Sequence, residues 1–347
     1  MPNRATATER QAIRAAVTCF TTFALTMLPL AARGEPIKLK LAYYASDHGK
    51  SYTMAIKPFV DAVNADPRSG IEIETYPGGV LGKDSAQQAQ LVRDGIADIA
   101  YVVLGTAADQ FKDHAVMELP GLFRDMREAT MINTRLVNSE LMQGYEKFFV
   151  IASLATEPEA IHTDVPVASL RDLRGKRIRA NNPIEAAALA RLGMSAVVLP
   201  IGKTAEAISR GTIDGAASAL GPLTDFGLGG VVNYHYFVRL GPSVRSLLMS
   251  RAKFESLPKA GQDAIRRYSG EWLAEHFVDE DEAYNEALLE RLRSDPQRSV
   301  IYPSSPEVEM VANAFRTMRA EWAGANPHSR ALLDLVEEEL AKYRANH

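Results

Sequence analysis

The sequence predicts an α/β protein with two sheet-containing units and a helical C-terminal region. Short apolar segments alternate with helical patterns, and this alternation starts again after a helical stretch in the middle of the chain. The length of 347 residues, with 46% hydrophobic and 24% charged residues, suits two globular domains. The formal net charge is −4, and Lys and Arg are scattered among Asp and Glu, so no single-sign field is present that would attract a polyanion. We therefore expect no nucleic-acid partner.

The first 34 residues have the pattern of a secretory signal peptide. Three arginines precede an apolar run over residues 15–30, and small residues follow it. The run is short for a membrane-spanning helix, so we expect export followed by cleavage. The alternative is a lipoprotein anchored through Cys19, but that cysteine lies in the middle of the run rather than at its end.

Three strands separated by helices are predicted for the first unit. Alternating or continuous apolar residues predict strands over 37–43, 71–76 and 99–103. Helical patterns over 51–65 and 85–93 separate them. Strands that alternate with helices in this way are typical of a parallel sheet.

A second set of strands and a long helical region follow. A helix over 183–192 has proline in its first turn and Gly193 after its end, which are the expected start and stop signals. We expect one long helix over 258–292 to cross between the two units, and another helix to begin near residue 306. The short strands of this second set are predicted over 148–154, 177–180, 195–199 and 215–219.

The sequence gives no positive sign of catalysis or of metal binding. Its seven histidines show no pairing at metal-ligand spacing, and the motifs of phosphate-binding loops and of serine hydrolases are missing. We therefore expect neither an enzyme nor a metal or cofactor site.

Six short segments, in this order along the chain, form a more specific pattern. They are YPGGVLG at 76–82, VRDGIADI at 92–99, LPGLFRD at 119–125, DLRGKRIR at 172–179, GTIDG at 211–215 and LP at 257–258. Together they resemble the periplasmic solute receptors of tripartite ATP-independent periplasmic (TRAP) transporters, the DctP-like group.

The resemblance implies a two-domain periplasmic binding protein fold, with a ligand cleft between the domains and long C-terminal helices that bridge them. We expect one domain to comprise residues 35–155 and 244–283, and the other to comprise 156–243 and 284–347. The resemblance also implies a periplasmic location.

Arg179 is the main candidate for ligand binding. The residues alone allow two interpretations: a surface arginine paired with a nearby acid, or a guanidinium that binds a carboxylate while Asn182 or the following helix N-terminus adds donors. The resemblance implies the second, because Arg179 matches the carboxylate-binding arginine of the family. Arg174 and Arg177 are expected to be surface residues.

Other pocket positions follow from the same resemblance. In the sialic-acid receptors a second arginine precedes the first, and here Glu159 occupies its place, which argues against a second carboxylate on the ligand. Glu159 is therefore either exposed to solvent or available to a hydroxyl or amine of the ligand. The remaining positions implied to line the pocket are Tyr44, Val102, Val103, Ile201 and Ser218.

The expected function is binding of a small organic monocarboxylate, such as a 2-oxo, 2-hydroxy or aromatic acid, and its delivery to a permease of small and large membrane subunits. We expect the receptor to be a monomer. The alternatives are a dicarboxylate receptor, a module that senses its ligand and signals to a membrane kinase, and an exported enzyme that acts on a carboxylic acid.

Overall fold

The computed structural model describes residues 35–139 and 141–346, and the predicted signal peptide and Cys19 lie outside them. Within the described residues, eleven strands form two sheets. The strands are β1 (Ile37–Ala42), β2 (Ile71–Tyr76), β3 (Ile99–Val103), β4 (Phe148–Ala155), β5 (Ala160–Thr163), β6 (Arg177–Ala180), β7 (Ser195–Val198), β8 (Gly215–Ser218), β9 (Tyr234–Tyr236), β10 (Val244–Ser250) and β11 (Ser299–Ile301).

The α-helices of these residues cover both sheets and fill the C-terminal region. They are α1 (Lys57–Ala65), α2 (Gln88–Arg93), α3 (Met126–Asn138), α4 (Pro183–Arg191), α5 (Thr204–Ser209), α6 (Gly221–Asp225), α7 (Arg251–Ser256), α8 (Lys259–Arg267), α9 (Glu271–Ser294), α10 (Ser305–Gly324) and α11 (Pro327–Asn346).

The first sheet has the order β2-β1-β3-β10-β4. Strand β1 runs parallel to β2 and β3, as the alternation of strands and helices predicts. Strand β10 inserts antiparallel between β3 and β4, although it follows them late in the chain. The sequence analysis did not predict β10, because its pairing depends on a distant return of the chain.

The second sheet has the order β11-β9-β5-β8-β6-β7. Strand β6 lies parallel to β7 and β8, whereas β5 lies antiparallel to β8 and β9. The predicted strands over 177–180, 195–199 and 215–219 all belong to this sheet. The short strands β5, β9 and β11 were not predicted.

Two neighbouring segments join the sheets. One leads from β4 to β5 and the other from β9 to β10. They are hydrogen-bonded to each other: Thr156 N donates to Ser243 O at 3.0 Å, and Leu240 N donates to Glu159 O at 2.9 Å. The chain therefore passes from one sheet to the other twice at the same place.

The prediction of one helix over 258–292 is wrong, because the chain forms α8 and α9 with a break between them. Gly270 lies at the break with φ 64°, a left-handed conformation that glycine adopts without steric cost. Its N–H donates to Ile151 O of the first sheet at 2.8 Å. The break therefore starts α9 at the edge of the first core.

Helix α9 contacts both sheets. Leu273 and Phe277 near its start pack in the core of the first sheet. Leu288 and Leu292 near its end pack in a separate apolar cluster with residues of the second sheet's loops. The last helix, α11, which we expected to belong with the second domain, buries its apolar residues in the first core. No helix among the described residues has the length and apolar character of a membrane span.

Candidate ligand-binding cavity

A cavity of about 40 Å³ lies between the two sheets, close to the two joining segments. The lining residues are Tyr43, Tyr44, Lys50, Ser51, Val103, Thr156, Glu159, Arg179, Asn181, Ile201, Ser218, Ala219, Gly221, Pro222, Asp225, Phe226, Ser243, Arg245, Phe277 and Asp281.

Arg179 lies on the cavity wall with only 2% of its surface exposed. Its Nε donates to Leu199 O at 2.8 Å, one terminal nitrogen donates to Ala217 O at 3.2 Å, and the other donates to Asn181 Oδ1 at 2.8 Å. One N–H on each terminal nitrogen has no partner among the described residues. A guanidinium that keeps N–H donors on both terminal nitrogens can bind both oxygens of a carboxylate.

The charge on Arg179 is only partly balanced by its surroundings. Burial is the main reason that the pKa of Arg179 is lowered, and the positive charge of Arg245 lowers it as well, whereas Glu185 and Glu159 oppose both. An additional negative charge beside this guanidinium would oppose the effect of burial on its pKa.

The ends of strands from both sheets bring the other predicted residues to the cavity. Val103 is the last residue of β3 and Ser218 is the last residue of β8. Tyr44 follows β1 and Ile201 follows β7, and all four residues line the cavity. Val102 does not line it: successive residues of a strand point to opposite faces, so Val102 is fully buried in the first core instead.

Asn182 also lies outside the cavity lining. Its side chain caps α4 by accepting a hydrogen bond from Glu185 N at 2.8 Å. The neighbouring Asn181 lines the cavity and holds the guanidinium of Arg179. The predicted position, Asn182, is one residue too late to line the cavity, because its side chain serves as the helix cap.

Glu159 lines the cavity and is buried, with 3% of its surface exposed, so the expectation of an exposed side chain is wrong. It lies in the segment that joins β4 to β5, which packs against the returning segment. The carboxyl of Glu185 lies within hydrogen-bonding reach of Glu159. Burial, followed by the charge of Glu159, raises the pKa of Glu185 well above its usual value.

The sequence analysis missed Arg245, the second arginine of the cavity. It belongs to β10, where its register partners are Val103 of β3 and Leu154 of β4. Its guanidinium makes no hydrogen bond or ion pair with the described residues. No sequence signal marks it, because β10 was not predicted.

A further charged group at the cavity is already paired. Lys50 Nζ lies 2.5 Å from Asp281 Oδ1 and donates to Asn285 Oδ1 at 2.9 Å, both on α9. The backbone N–H of Lys50 donates to Asp225 Oδ2 at 2.8 Å. Lys50 follows β1 and Asp225 ends α6, so this bond connects the two sides of the cavity.

Arg177 is a surface residue, as expected. It lies two residues before Arg179 on β6, pairs with Asp214 at 2.6 Å and has a side chain 44% exposed. In the part of the chain that is described, no group of three or more His, Cys, Asp or Glu side chains is arranged to hold a metal ion.

A family model described as bacterial extracellular solute-binding protein, family 7, with the name DctP, matches residues 41–324. The chain belongs to this family. The predicted resemblance is thereby confirmed, and this family 7 protein is a solute-binding protein. Among curated relatives, a solute-binding protein of Verminephrobacter eiseniae is 24% identical over 244 residues, which cover 68% of this chain and 72% of the relative.

Solved structures of TRAP solute-binding proteins share the fold of this family 7 protein. One from a marine metagenome, in complex with 3-hydroxybenzoate, has a TM-score of 0.82 at 22% identity and covers 89% of this chain and 99% of its own. One from Rhodoferax ferrireducens with copurified benzoate has a TM-score of 0.78 at 22% identity, with the same coverage. One from Bordetella bronchiseptica with bound mandelate has a TM-score of 0.78 at 19% identity and covers 89% and 100%.

Proposed function

We propose that this family 7 protein binds a small organic monocarboxylate in the cavity, with the carboxylate on the guanidinium of Arg179. The observation that carries the proposal is the state of Arg179, which is buried and fixed by three acceptors but keeps one unpaired N–H on each terminal nitrogen. Because a buried cation without an anionic partner is unfavourable, binding of the acid stabilises the closed arrangement of the two walls.

The two sheets are the cores of two domains in this proposal. Residues 35–155 and 244–283 form the first domain and 156–243 and 284–326 the second, while α11 belongs with the first because its apolar residues pack there. The two joining segments then act as a hinge, and ligand entry opens the cavity between the domains.

The walls favour an acid with an aromatic or other apolar body. Tyr44, Phe226 and Phe277 line the cavity together with Val103 and Ile201. The related structures contain 3-hydroxybenzoate, benzoate and mandelate, which combine one carboxylate with a ring. A receptor of this class acts outside the cytoplasm, delivers its ligand unchanged to the membrane subunits of a TRAP permease and catalyses no reaction.

A dicarboxylate is the second candidate ligand, because Arg245 adds a second guanidinium without an ion-pair partner among the described residues. A dicarboxylate would place one carboxylate on each arginine. The aromatic lining of the cavity favours the monocarboxylate.

A thermal-shift screen tests the proposal. The panel contains benzoate, mandelate, 2-oxobutyrate, lactate and succinate, each with its neutral amide as a control of the same shape. At about 100 times the dissociation constant, a ligand stabilises the folded protein by about 2.7 kcal/mol. We expect at least one monocarboxylate to raise the melting temperature while its amide does not. Stabilisation by succinate alone would favour the dicarboxylate, and equal effects of acid and amide would contradict the role of Arg179.

A further inference from the structure

Glu159 is an acidic side chain on the wall of a cavity expected to bind an anion. Only 3% of its surface is exposed. Its backbone is fixed, because Leu240 N donates to Glu159 O at 2.9 Å and thereby ties the two joining segments together. The side chain therefore occupies a defined position at the junction of the two sheets.

The hydrogen-bonding capacity of the Glu159 carboxylate is not used up by the protein. No N–H group and no hydroxyl of the described residues donates to either of its oxygens, and the Oε2 atom is buried without a partner of that kind. The one protein group that can serve as a donor is the carboxyl of Glu185. A single proton satisfies one oxygen of Glu159 and leaves the other without a donor.

One oxygen of Glu185 is already engaged by the backbone. Glu185 Oε2 accepts a hydrogen bond from Asn181 N at 2.5 Å, so only its other oxygen is free to share a proton with Glu159. Burial and the negative charge of Glu159 raise the pKa of Glu185 well above its usual value. The protein therefore offers Glu159 at most this one shared proton, and at least one oxygen of Glu159 is left to accept a hydrogen bond.

The arginines of the cavity do not complete the partners of Glu159. The side chains of Glu159, Arg179 and Arg245 line the same cavity. Neither arginine forms a hydrogen bond or an ion pair with it among the described contacts. A ligand whose carboxylate lies on Arg179 therefore shares the cavity with a buried carboxyl group that has an oxygen without a hydrogen-bond donor.

We propose that Glu159 determines specificity by accepting a hydrogen bond from a hydroxyl or N–H group of the bound acid. The preferred ligand is thus an organic acid that also carries a hydrogen-bond donor, and an acid of the same shape without the donor binds less tightly because it leaves the buried carboxylate unpaired. This inference rests on the proposed function, since it takes the position of the ligand's carboxylate from Arg179.

Matched acids test the inference by calorimetry at pH 7. Mandelate, phenylglycine and phenylacetate share a ring and a carboxylate, and differ only in a hydroxyl, an ammonium group or a hydrogen on the carbon beside the carboxylate. The pair of 3-hydroxybenzoate and benzoate places the hydroxyl on the ring instead. We expect at least one donor-bearing acid to bind roughly tenfold or more tightly than its parent acid.

Two substitutions assign the preference to Glu159. Glu159→Met keeps the volume and removes the acceptor, so the preference should fall to within about twofold. Glu159→Gln keeps an acceptor without the charge and should show an intermediate preference; it also serves as the test if the Met variant does not fold. Glu118→Gln is the matched control, because Glu118 is equally buried but does not line the cavity, and it should keep the preference of the wild type.

The outcomes separate the inference from the proposed function. Equal binding of every donor-bearing acid and its parent by the wild type would overturn the inference and leave the binding of carboxylates intact. A preference that persists in both Glu159 variants would also overturn it. If no acid of the thermal-shift panel and none of these matched acids binds, the proposed function fails, and the inference fails with it.

Discussion

Arg179 on the second sheet and Arg245 on the first sheet face the same cavity, but only Arg179 is held in place. Three acceptors fix the guanidinium of Arg179 before any ligand arrives. The guanidinium of Arg245 has no such contacts among the described residues, and its side chain is only partly buried. A fixed donor loses little entropy on binding, whereas a free side chain must be ordered. The comparison indicates that Arg179 anchors the ligand and Arg245 adds a weaker contact.

Substitution of Arg179 should have the largest effect on binding. Arg179→Ala leaves the carboxylate of the ligand without its partner, and we expect a loss on the order of 2 to 5 kcal/mol, roughly thirtyfold or more in the dissociation constant. Arg179→Lys keeps the charge but loses the paired donors, so it should also bind poorly. Calorimetry with the tightest acid of the screen measures both.

The control for this measurement is Arg174→Ala, which changes an arginine that does not line the cavity. Its affinity should match that of the wild type. If the Arg179→Ala protein is folded and binds the acid with normal affinity, Arg179 does not bind the ligand.

The free energy of unfolding should depend on pH because of Glu118. Burial, followed by the charge of Glu159, raises the pKa of Glu118 to about 8. Between the usual pKa of a glutamate and this value, the folded protein keeps a proton that the unfolded chain releases. The stabilisation is therefore present at low pH and is lost as the pH rises toward 8.

Denaturant unfolding at pH 5.5 and pH 8 measures this effect. We expect the free energy of unfolding to fall by on the order of 2 kcal/mol through Glu118. In Glu118→Gln the fall should be smaller, because the amide does not titrate. An identical fall in the variant and the wild type would assign the pH dependence to other groups.

Arg245 should contribute less than Arg179. We expect Arg245→Gln to weaken binding of the same acid by roughly tenfold, or about 1.4 kcal/mol, because the ordering of a free side chain offsets part of its attraction for the ligand. The same calorimetric series measures it. A loss greater than that of Arg179→Ala would place the principal anion contact on the first sheet and reverse the comparison.

Substitution of Arg177 should have the smallest effect on ligand affinity. It is the control for an arginine of β6 that does not line the cavity. It lies two residues before Arg179 on the same face of the strand, yet it pairs with Asp214 at the surface. Arg177→Ala should leave ligand affinity unchanged and should lower the free energy of unfolding by about 1 kcal/mol or less, as for an exposed ion pair. Weakened binding would show that position on β6, rather than burial, matters.

Local patterns of the sequence were sufficient to predict much of the fold. Strands β2, β3 and β6 begin and end at the predicted residues. The alternating pattern of β2 and the continuous apolar run of β3 indicate which side chains are buried, whatever the partner strand is. The role of Arg179 came from the family resemblance and stays a prediction, whereas the family itself is confirmed by the match over residues 41–324.

The tertiary structure alone decided which distant residues meet. Arg245 reaches the cavity because β10 returns to insert between β3 and β4, and Glu159 is buried because the two joining segments pack together. The break at Gly270 and the packing of α11 in the first core likewise depend on contacts far along the chain. A side chain's own sequence neighbourhood specifies its strand or helix, but the burial of a charged group depends on the elements that fold over it, and these are set by long-range packing.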